Sequence, residues 1–470
     1  MCERLLQVLF AMHSIKSFLL VILAGITVFL VHQTFQTETC YQRNQKPYSF
    51  FGSKTSYSFV SGTDLNTPSD CHAVQIWMMS RHGTRYPSKE MIMEFKTKLN
   101  LLKSNISSLS PMCWEDINAI RNWNVNLSSL NHYSLHDQGV KELKTLALKL
   151  KQLFPQIFNT SYKDSKFKFL STSKPRALAS ATVFYQSLFN ENPKMDLPTS
   201  KSDDRINLSK CKAIDDDDNM ESEEEVKKFE KGPLVQSVIS RVSKKMGLNQ
   251  NIMYGDVKLM FESCKYEKAW SPDSHPPWCA LFSTNDLEIL EYLEDLKYYY
   301  KNGYGNSVAL HLGCPIVKDL LENFKNNTQK QIGPLGIFYF GHTPNILSIV
   351  TQLRIAKDDS PLLSTNFDHM KNRRWKISYI NPFASNIIAV FYKCQEGNKV
   401  MFLLNEHVIP MNKESCKLCP WEPIRNMLNT TISNQTCNLK FCSSSTSIIS
   451  KNKILTLLSL FYTLFFNFYA

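Results

Sequence analysis

The sequence predicts an α/β protein: a buried sheet with helices on both faces, interrupted by an inserted, mostly α-helical domain. Three observations carry that expectation. Two nearly continuous apolar runs, Ala73–Ser80 and Gly336–Gly341, read as strands buried on both faces, and each turns at a histidine into a helical pattern. Residues 190–330 between them show helical periodicity and few strand signals. The chain has 470 residues, 43% of them hydrophobic, enough for a large core plus an insertion.

Taken in order, Arg4 and Lys16 precede the apolar run Ser17–Val31, which ends in polar Gln33–Thr39. This is the pattern of a secretory signal peptide over residues 1–36. An uncleaved signal anchor is the alternative, because no small-x-small site follows the run. A polar, loop-like stretch extends from Cys40 to Asp70. The strand Ala73–Ser80 then leads through Arg81–Pro87 into a helix with Met91, Ile92, Phe95, Leu99 and Leu102 on one face. A helix is expected over Gln138–Leu153, with Val140, Leu143, Leu146, Leu148 and Leu150 among its apolar positions. Strand Phe167–Ser171 and helix Ala177–Leu188 follow.

The sheet domain is expected to occupy 37–189 and 331–425, with the helical insertion at 190–330 containing helices Pro233–Met246 and Asp286–Lys301. The acidic run Asp215–Asp218 lacks the spacing of a calcium loop and reads as solvated surface rather than a cation site; no cofactor is expected. After Gly336–Gly341 come a helix Ile346–Leu353 and strands Asn386–Tyr392 and Lys399–Leu404. Residues 426–444 read as a stalk bearing disulfides and glycans. Small residues Ser443–Ser447, a spacer with Lys451 and Lys453, and apolar Ile454–Ala470 form the pattern of a GPI-attachment signal over 445–470.

Other features point to the same compartment. Without Cys2, twelve cysteines remain, an even number suited to disulfides; Cys264 and Cys279 are the best-placed pair. Glycosylation sequons begin at Asn105, Asn126, Asn159, Asn207, Asn326, Asn429 and Asn434. The expected location is the secretory pathway and then the cell surface, with a lipid anchor to the membrane, or secretion. Formal net charge is +12, of which +1 precedes residue 37 and +2 follows residue 444. A basic surface favours anionic partners. The dispersed charge and the lack of a recognition module argue against nucleic acid.

The chemistry lies at the strand ends. In a doubly wound sheet such residues project into the crevice at the carboxyl ends of the strands, beside helix N-termini that favour anions. His82 and His342 are therefore expected to meet. Arg81 and Arg85 bracket His82, and Arg176 stands past another strand end. A phosphoryl-transfer pocket without a metal needs a nucleophile, rigid cations and an acid for the leaving oxygen. A neutral imidazole serves as the first and guanidiniums as the second.

Arg81-His-Gly-Thr-Arg-Tyr-Pro87 resembles the signature of the histidine acid phosphatases, and residues 71–425 resemble the multiple inositol polyphosphate phosphatase branch. The similarity includes Ser171–Lys174 with Arg176, Tyr254–Met260, Leu290–Lys297, Gly303–Gly305, Arg373–Lys376, Asn381–Asn386 and Phe402–Pro410. It implies an α/β domain with an α insertion and a phosphomonoesterase that uses no metal and acts on inositol polyphosphates. It also implies His82 as the nucleophile that becomes phosphohistidine, with Arg81, Arg85, Arg176 and His342 holding the phosphoryl group. The pattern departs at two places. The family's second histidine is followed by Asp, or in this branch by Ala-Glu, as proton donor; here Thr343 and Pro344 follow His342. Pro175 stands where the branch has His. Asp358, Asp359 and Asp368 are substitutes by sequence proximity alone. Two outcomes are open: a phosphatase impaired by the missing acid, or an inactive relative that binds phosphorylated ligands.

Overall fold

The structure, a computed structural model, describes residues 40–62, 69–191, 197–200, 205–208, 220–330, 333–411, 416–433 and 437. The expected signal peptide, the GPI signal, Asp215–Asp218 and Asn434 lie outside them. Among the described residues, no helix is long and apolar enough to cross a membrane.

Among the described residues, eight strands form one mixed sheet: β1 Cys71–Arg81, β2 Phe167–Thr172, β3 Thr199–Ser200, β4 Gly336–Gly341, β5 Asn386–Cys394, β6 Gly397–Leu404, β7 His407–Ile409 and β8 Leu418–Pro420. The order is β3-β2-β4-β1-β5-β6-β7, with β8 on β6. The half from β3 to β1 is parallel, whereas β5 runs antiparallel to β1. Alternation along the strands explains the continuous apolar runs. Trp77, Met79, Ile337 and Tyr339 enter the core on one face, while Ile76, Met78, Phe338 and Phe340 enter the core on the other.

Helices Asp137–Leu153 and Pro175–Phe189 cover one face. Leu143, Leu146, Ala147 and Leu150 form the buried stripe of the first. Val140 and Leu148, apolar though they are, are exposed; Leu148 sits five residues past Leu143, well off a 3.6-residue stripe. The middle of the chain is dominated by helices, including Met220–Lys231, Pro233–Lys245, Tyr254–Trp270, Thr284–Asn302 and Cys314–Lys330. Ser283 starts the fourth of these with a reciprocal capping box to Asp286.

Two expectations need correction. The boundary at 425/426 falls inside the helix Trp421–Ser433, whose Trp421, Ile424 and Leu428 are buried at three- and four-residue spacing. The segment from Cys40 is also no mere loop. Its turns Gly52–Lys54 and Tyr57–Phe59 bury Phe51, Ser53, Thr55 and Tyr57. Cys264 pairs with Cys279, and Cys40–Cys113, Cys71–Cys394, Cys314–Cys437 and Cys416–Cys419 are further disulfides. Of the sequon asparagines, Asn105, Asn126, Asn159 and Asn326 are exposed; Asn207 and Asn429 are half-buried.

Candidate active site

Register builds the site. β1 and β4 are adjacent and parallel with Arg81 opposite Gly341, so the chain leaves both strands at the same level. His82 N–H donates to the Gly341 carbonyl at 3.1 Å. The imidazoles of His82 and His342 meet edge to face with centroids 5.5 Å apart. β2, on the other side of β4, brings Thr172, whose Oγ1 is 2.9 Å from His342 Nε2. The helix after β2 carries Arg176 in its first turn, with Nη2 3.5 Å from His342 Nδ1.

The turn after β1 is tightly specified. A Cβ on Gly83 would lie 2.7 Å from the Gly139 carbonyl oxygen and 2.7 Å from Leu143 Cδ2, so only glycine fits against the 137–153 helix. Thr84 N and Oγ1 both donate to the Glu142 carboxylate, each at 2.8 Å. Burial pushes the Glu142 carboxyl up to about 7, against donors from Thr84, Tyr57 and Ser56.

His82 is 3% exposed, and its Nδ1 lies 2.9 Å from the Gly83 carbonyl. A carbonyl only accepts, so Nδ1 carries the proton and Nε2 keeps its lone pair. Burial, followed by the charge of Arg81, holds His82 well below the usual histidine range. Burial and Arg176 lower His342 to about 3. Both rings are thus neutral in mild acid.

Arg81 is anchored at one end. Its Nη1 donates to the carbonyls of Ser53, Asn381 and Pro382 at 2.7, 2.8 and 2.8 Å, and its guanidinium lies 4.8 Å from the Phe383 ring centroid. Burial lowers Arg81 and Arg176 to about 10 each, so both stay charged near neutrality. The Nε atoms of Arg81, Arg85 and Arg176 are all buried without a hydrogen-bond partner. Three orphaned cationic donors beside one imidazole are a strong demand for an anion.

The proton-donor position is neutral. Thr343 Oγ1 accepts from Asn381 Nδ2 at 3.0 Å, and Pro344 occupies the first turn of the helix Thr343–Gln352. The groups bearing most on either imidazole, apart from burial, are cations or the other ring. The suggested substitutes are engaged elsewhere. Asp358 accepts from the backbone N–H groups of Arg374 and Trp375, Asp359 is exposed, and Asp368 pairs with Lys371 at the surface.

A model of the histidine phosphatase superfamily (branch 2) matches residues 74–405. The chain belongs to that superfamily. Multiple inositol polyphosphate phosphatase 1 of Drosophila melanogaster is 32% identical to this histidine acid phosphatase over 418 residues, covering 83% of this chain and 87% of the relative. The Homo sapiens protein of the same name is 26% identical over 441 residues, covering 84% and 90%. Among solved structures, the phytase from D. castellii shares the fold with a TM-score of 0.67 at 17% identity, covering 87% of this chain and 88% of that one. A Bifidobacterium longum multiple inositol polyphosphate phosphatase, in complex with inositol hexasulfate, shares it at 0.59 and 13%, covering 78% and 94%.

The five residues singled out in the sequence of this branch 2 phosphatase thus lie together: His82 meets His342, Arg176 reaches His342, and Arg81 and Arg85 bear on the His82 ring. Others gave weaker signals. Glu142 is an acidic residue in phase with the apolar stripe at 146 and 150. Ser53, which seats Arg81, came from a stretch read as loop. One layer further out, a cavity of about 520 Å³ lies among the middle helices, its wall including Lys54, Lys258, Lys265, Lys297 and Glu294. Glu294 Oε1 accepts from Ser53 N at 2.9 Å and thereby ties this wall to the seat of Arg81.

Proposed function

We propose that this chain is a phosphomonoesterase acting on inositol polyphosphates through a phosphohistidine, with its rate limited by the missing proton donor. The carrying observation is the set of three buried, unpartnered guanidinium Nε atoms around His82. His82 Nε2 attacks phosphorus in line, the phosphorus–ester oxygen bond breaks, and the guanidiniums of Arg81, Arg85 and Arg176 bind the equatorial oxygens. Neutral His342 accepts from Arg176 at Nδ1 and so carries its proton on Nε2, which donates to Thr172 Oγ1 until a phosphoryl oxygen takes that place. Water then attacks the phosphohistidine, releasing inorganic phosphate and restoring the imidazole. The departing alkoxide must take its proton from solvent, because Thr343 and Pro344 offer no acidic one. The basic net charge supports an anionic, multiply phosphorylated substrate.

The disulfides, the sequons and the apolar ends of the sequence support an exported glycoprotein held at the cell surface by a lipid. Release from intact cells by phosphatidylinositol-specific phospholipase C tests the anchor.

Alkali-quenched single turnovers test the chemistry, because a phosphohistidine is stable in base and hydrolyses in acid. The expected result is phosphate trapped on the wild-type chain, slow hydrolysis of inositol hexakisphosphate, faster hydrolysis of p-nitrophenyl phosphate, and loss of all three in His82→Ala. A second reading, a surface binder of phosphorylated ligands without turnover, is favoured by the absence of a carboxylate at positions 343 and 344. Inositol hexakisphosphate binding with no His82-dependent phosphoenzyme would establish it in place of the first.

A further inference from the structure

Tyr133 is an exposed tyrosine at the edge of the site, 42% accessible, and its ring meets two of the cations. Arg85 Cζ lies 5.2 Å from its centroid and Arg176 Cζ lies 5.5 Å from it. These guanidiniums come from different segments of the chain and repel one another. An aromatic face attracts both, since its quadrupole is negative above and below the ring.

The backbone supports the same reading. Tyr133 has φ +58°, a left-handed conformation that a bulky residue seldom adopts. It is held there by stitching to the signature turn. Tyr133 N donates to Pro87 O at 2.9 Å, Tyr86 N to Ser134 O at 2.9 Å, and His136 N to Thr84 O at 2.8 Å. Arg85 and Leu135 form an antiparallel bridge between these bonds. A rigid loop therefore presents one ring, in a strained conformation and without core burial, to the two arginines. Core packing does not account for it.

We propose that Tyr133 is a positioning residue of the phosphate site, a clamp that holds Arg85 and Arg176 at the spacing of one phosphoryl group. The proposal rests on the phosphatase reading. Lys and Arg side chains lose much rotamer freedom when they grip an anion, and a platform that pre-orders them lowers that loss.

The test uses the full secreted chain and inorganic phosphate as the probe, with affinity measured by calorimetry so that turnover is not required. Tyr133→Asn removes the ring yet tolerates a positive φ; Tyr133→Phe keeps the ring and removes the hydroxyl. The expected result is phosphate affinity weakened about tenfold in Tyr133→Asn, the loss of two modest cation–π contacts, with Tm unchanged. Tyr133→Phe restores the affinity, and KM for p-nitrophenyl phosphate follows it more than kcat does. Unchanged affinity in Tyr133→Asn overturns the clamp while leaving the phosphatase reading intact. So does a Phe variant as defective as the Asn one, which would assign the role to the hydroxyl. A wild-type chain that binds no phosphate sinks the underlying reading and the clamp with it.

Discussion

Installing a carboxyl group after His342 is the perturbation that most directly probes the chemistry. In the double variant Thr343→Ala/Pro344→Glu, hydrolysis of inositol hexakisphosphate is expected to rise about 10²–10⁴-fold, the usual contribution of a positioned general acid. That range corresponds to about 2.7–5.4 kcal/mol of barrier. The fold should barely notice. Thr343→Ala removes the hydrogen bond from Asn381 Nδ2, at 3.0 Å, worth about 1 kcal/mol net. Pro344 sits in the first helical turn, where a restored N–H has no intrahelical acceptor to miss. A glutamate there gains about 0.3–1 kcal/mol from the helix dipole, nearly offsetting the lost bond.

The same dipole and the neighbouring guanidiniums favour the ionised carboxylate. The acid form therefore gains population as pH falls, and the rate gain should be larger near pH 5 than near pH 7. The assay compares inositol hexakisphosphate with p-nitrophenyl phosphate, whose leaving group needs little protonation. The ratio of the two gains isolates the acid. Equal rates on both substrates before and after, in a variant that keeps its Tm and phosphate affinity, would refute the assigned defect.

Three other outcomes follow from the geometry. Gly83→Ala forces a methyl against the Gly139 carbonyl and Leu143, so it should lower stability by about 1–3 kcal/mol in urea melts and abolish phosphate binding. Arg373→Met leaves Asp295 and Glu291 buried without their cation and should cost about 3–5 kcal/mol. Freed of Arg373, the Asp295 carboxyl binds a proton more readily in the folded state. The loss should therefore be larger at pH 8 than at pH 5, and equal losses would count against the pairing. Finally, His82 stays neutral as pH drops through 6.5, because burial and Arg81 depress its proton affinity. For p-nitrophenyl phosphate, kcat/KM should not fall between pH 7 and pH 5, and an acid-side inflection near 6.5 would contradict the neutral nucleophile.

The legible parts of this protein were those written as local pattern. An apolar run ending in histidine, twice, marks two strands buried on both faces, and adjacent parallel strands bring His82 and His342 together. Arg176 was legible for the same reason, as a cation just past β2. The helix Trp421–Ser433 is legible in Trp421, Ile424 and Leu428, but its half beyond residue 425 is polar and glycosylation-prone and resembles a stalk. Tyr133 and Ser53 had no local signal. Tyr133 owes its place to bonds with Pro87 and to arginines 48 and 43 residues away in sequence. Glu142 stands between exposed Lys141 and Lys144 and looks like surface, yet Thr84 draws its carboxylate inward. Sequence proximity also misled: Asp358 is near His342 along the chain but caps the backbone at Arg374 and Trp375.

The anion cradle and the proton donor are physically separable in this fold, which is why one can be intact without the other. Arg81 is anchored by carbonyls of Ser53, Asn381 and Pro382, and Arg373 and Asp295 stand behind that seat through the Asp295 bond to Ile377 N at 2.8 Å. None of these contacts involves the side chain of residue 343 or 344. The helix beginning at Thr343 is stabilised by His342 N donating to Asn345 Oδ1 at 2.9 Å and by Pro344 in its first turn, neither of which needs a carboxyl group. On the proposed reading, loss of the acid is expected to leave folding and phosphate affinity intact and to restrict turnover to esters whose leaving oxygen departs unprotonated. Leaving-group basicity is the variable along which an impaired enzyme and an inactive binder diverge. A steep dependence of kcat on leaving-group pKa across aryl phosphates marks the first, and no His82-dependent turnover at any leaving group marks the second.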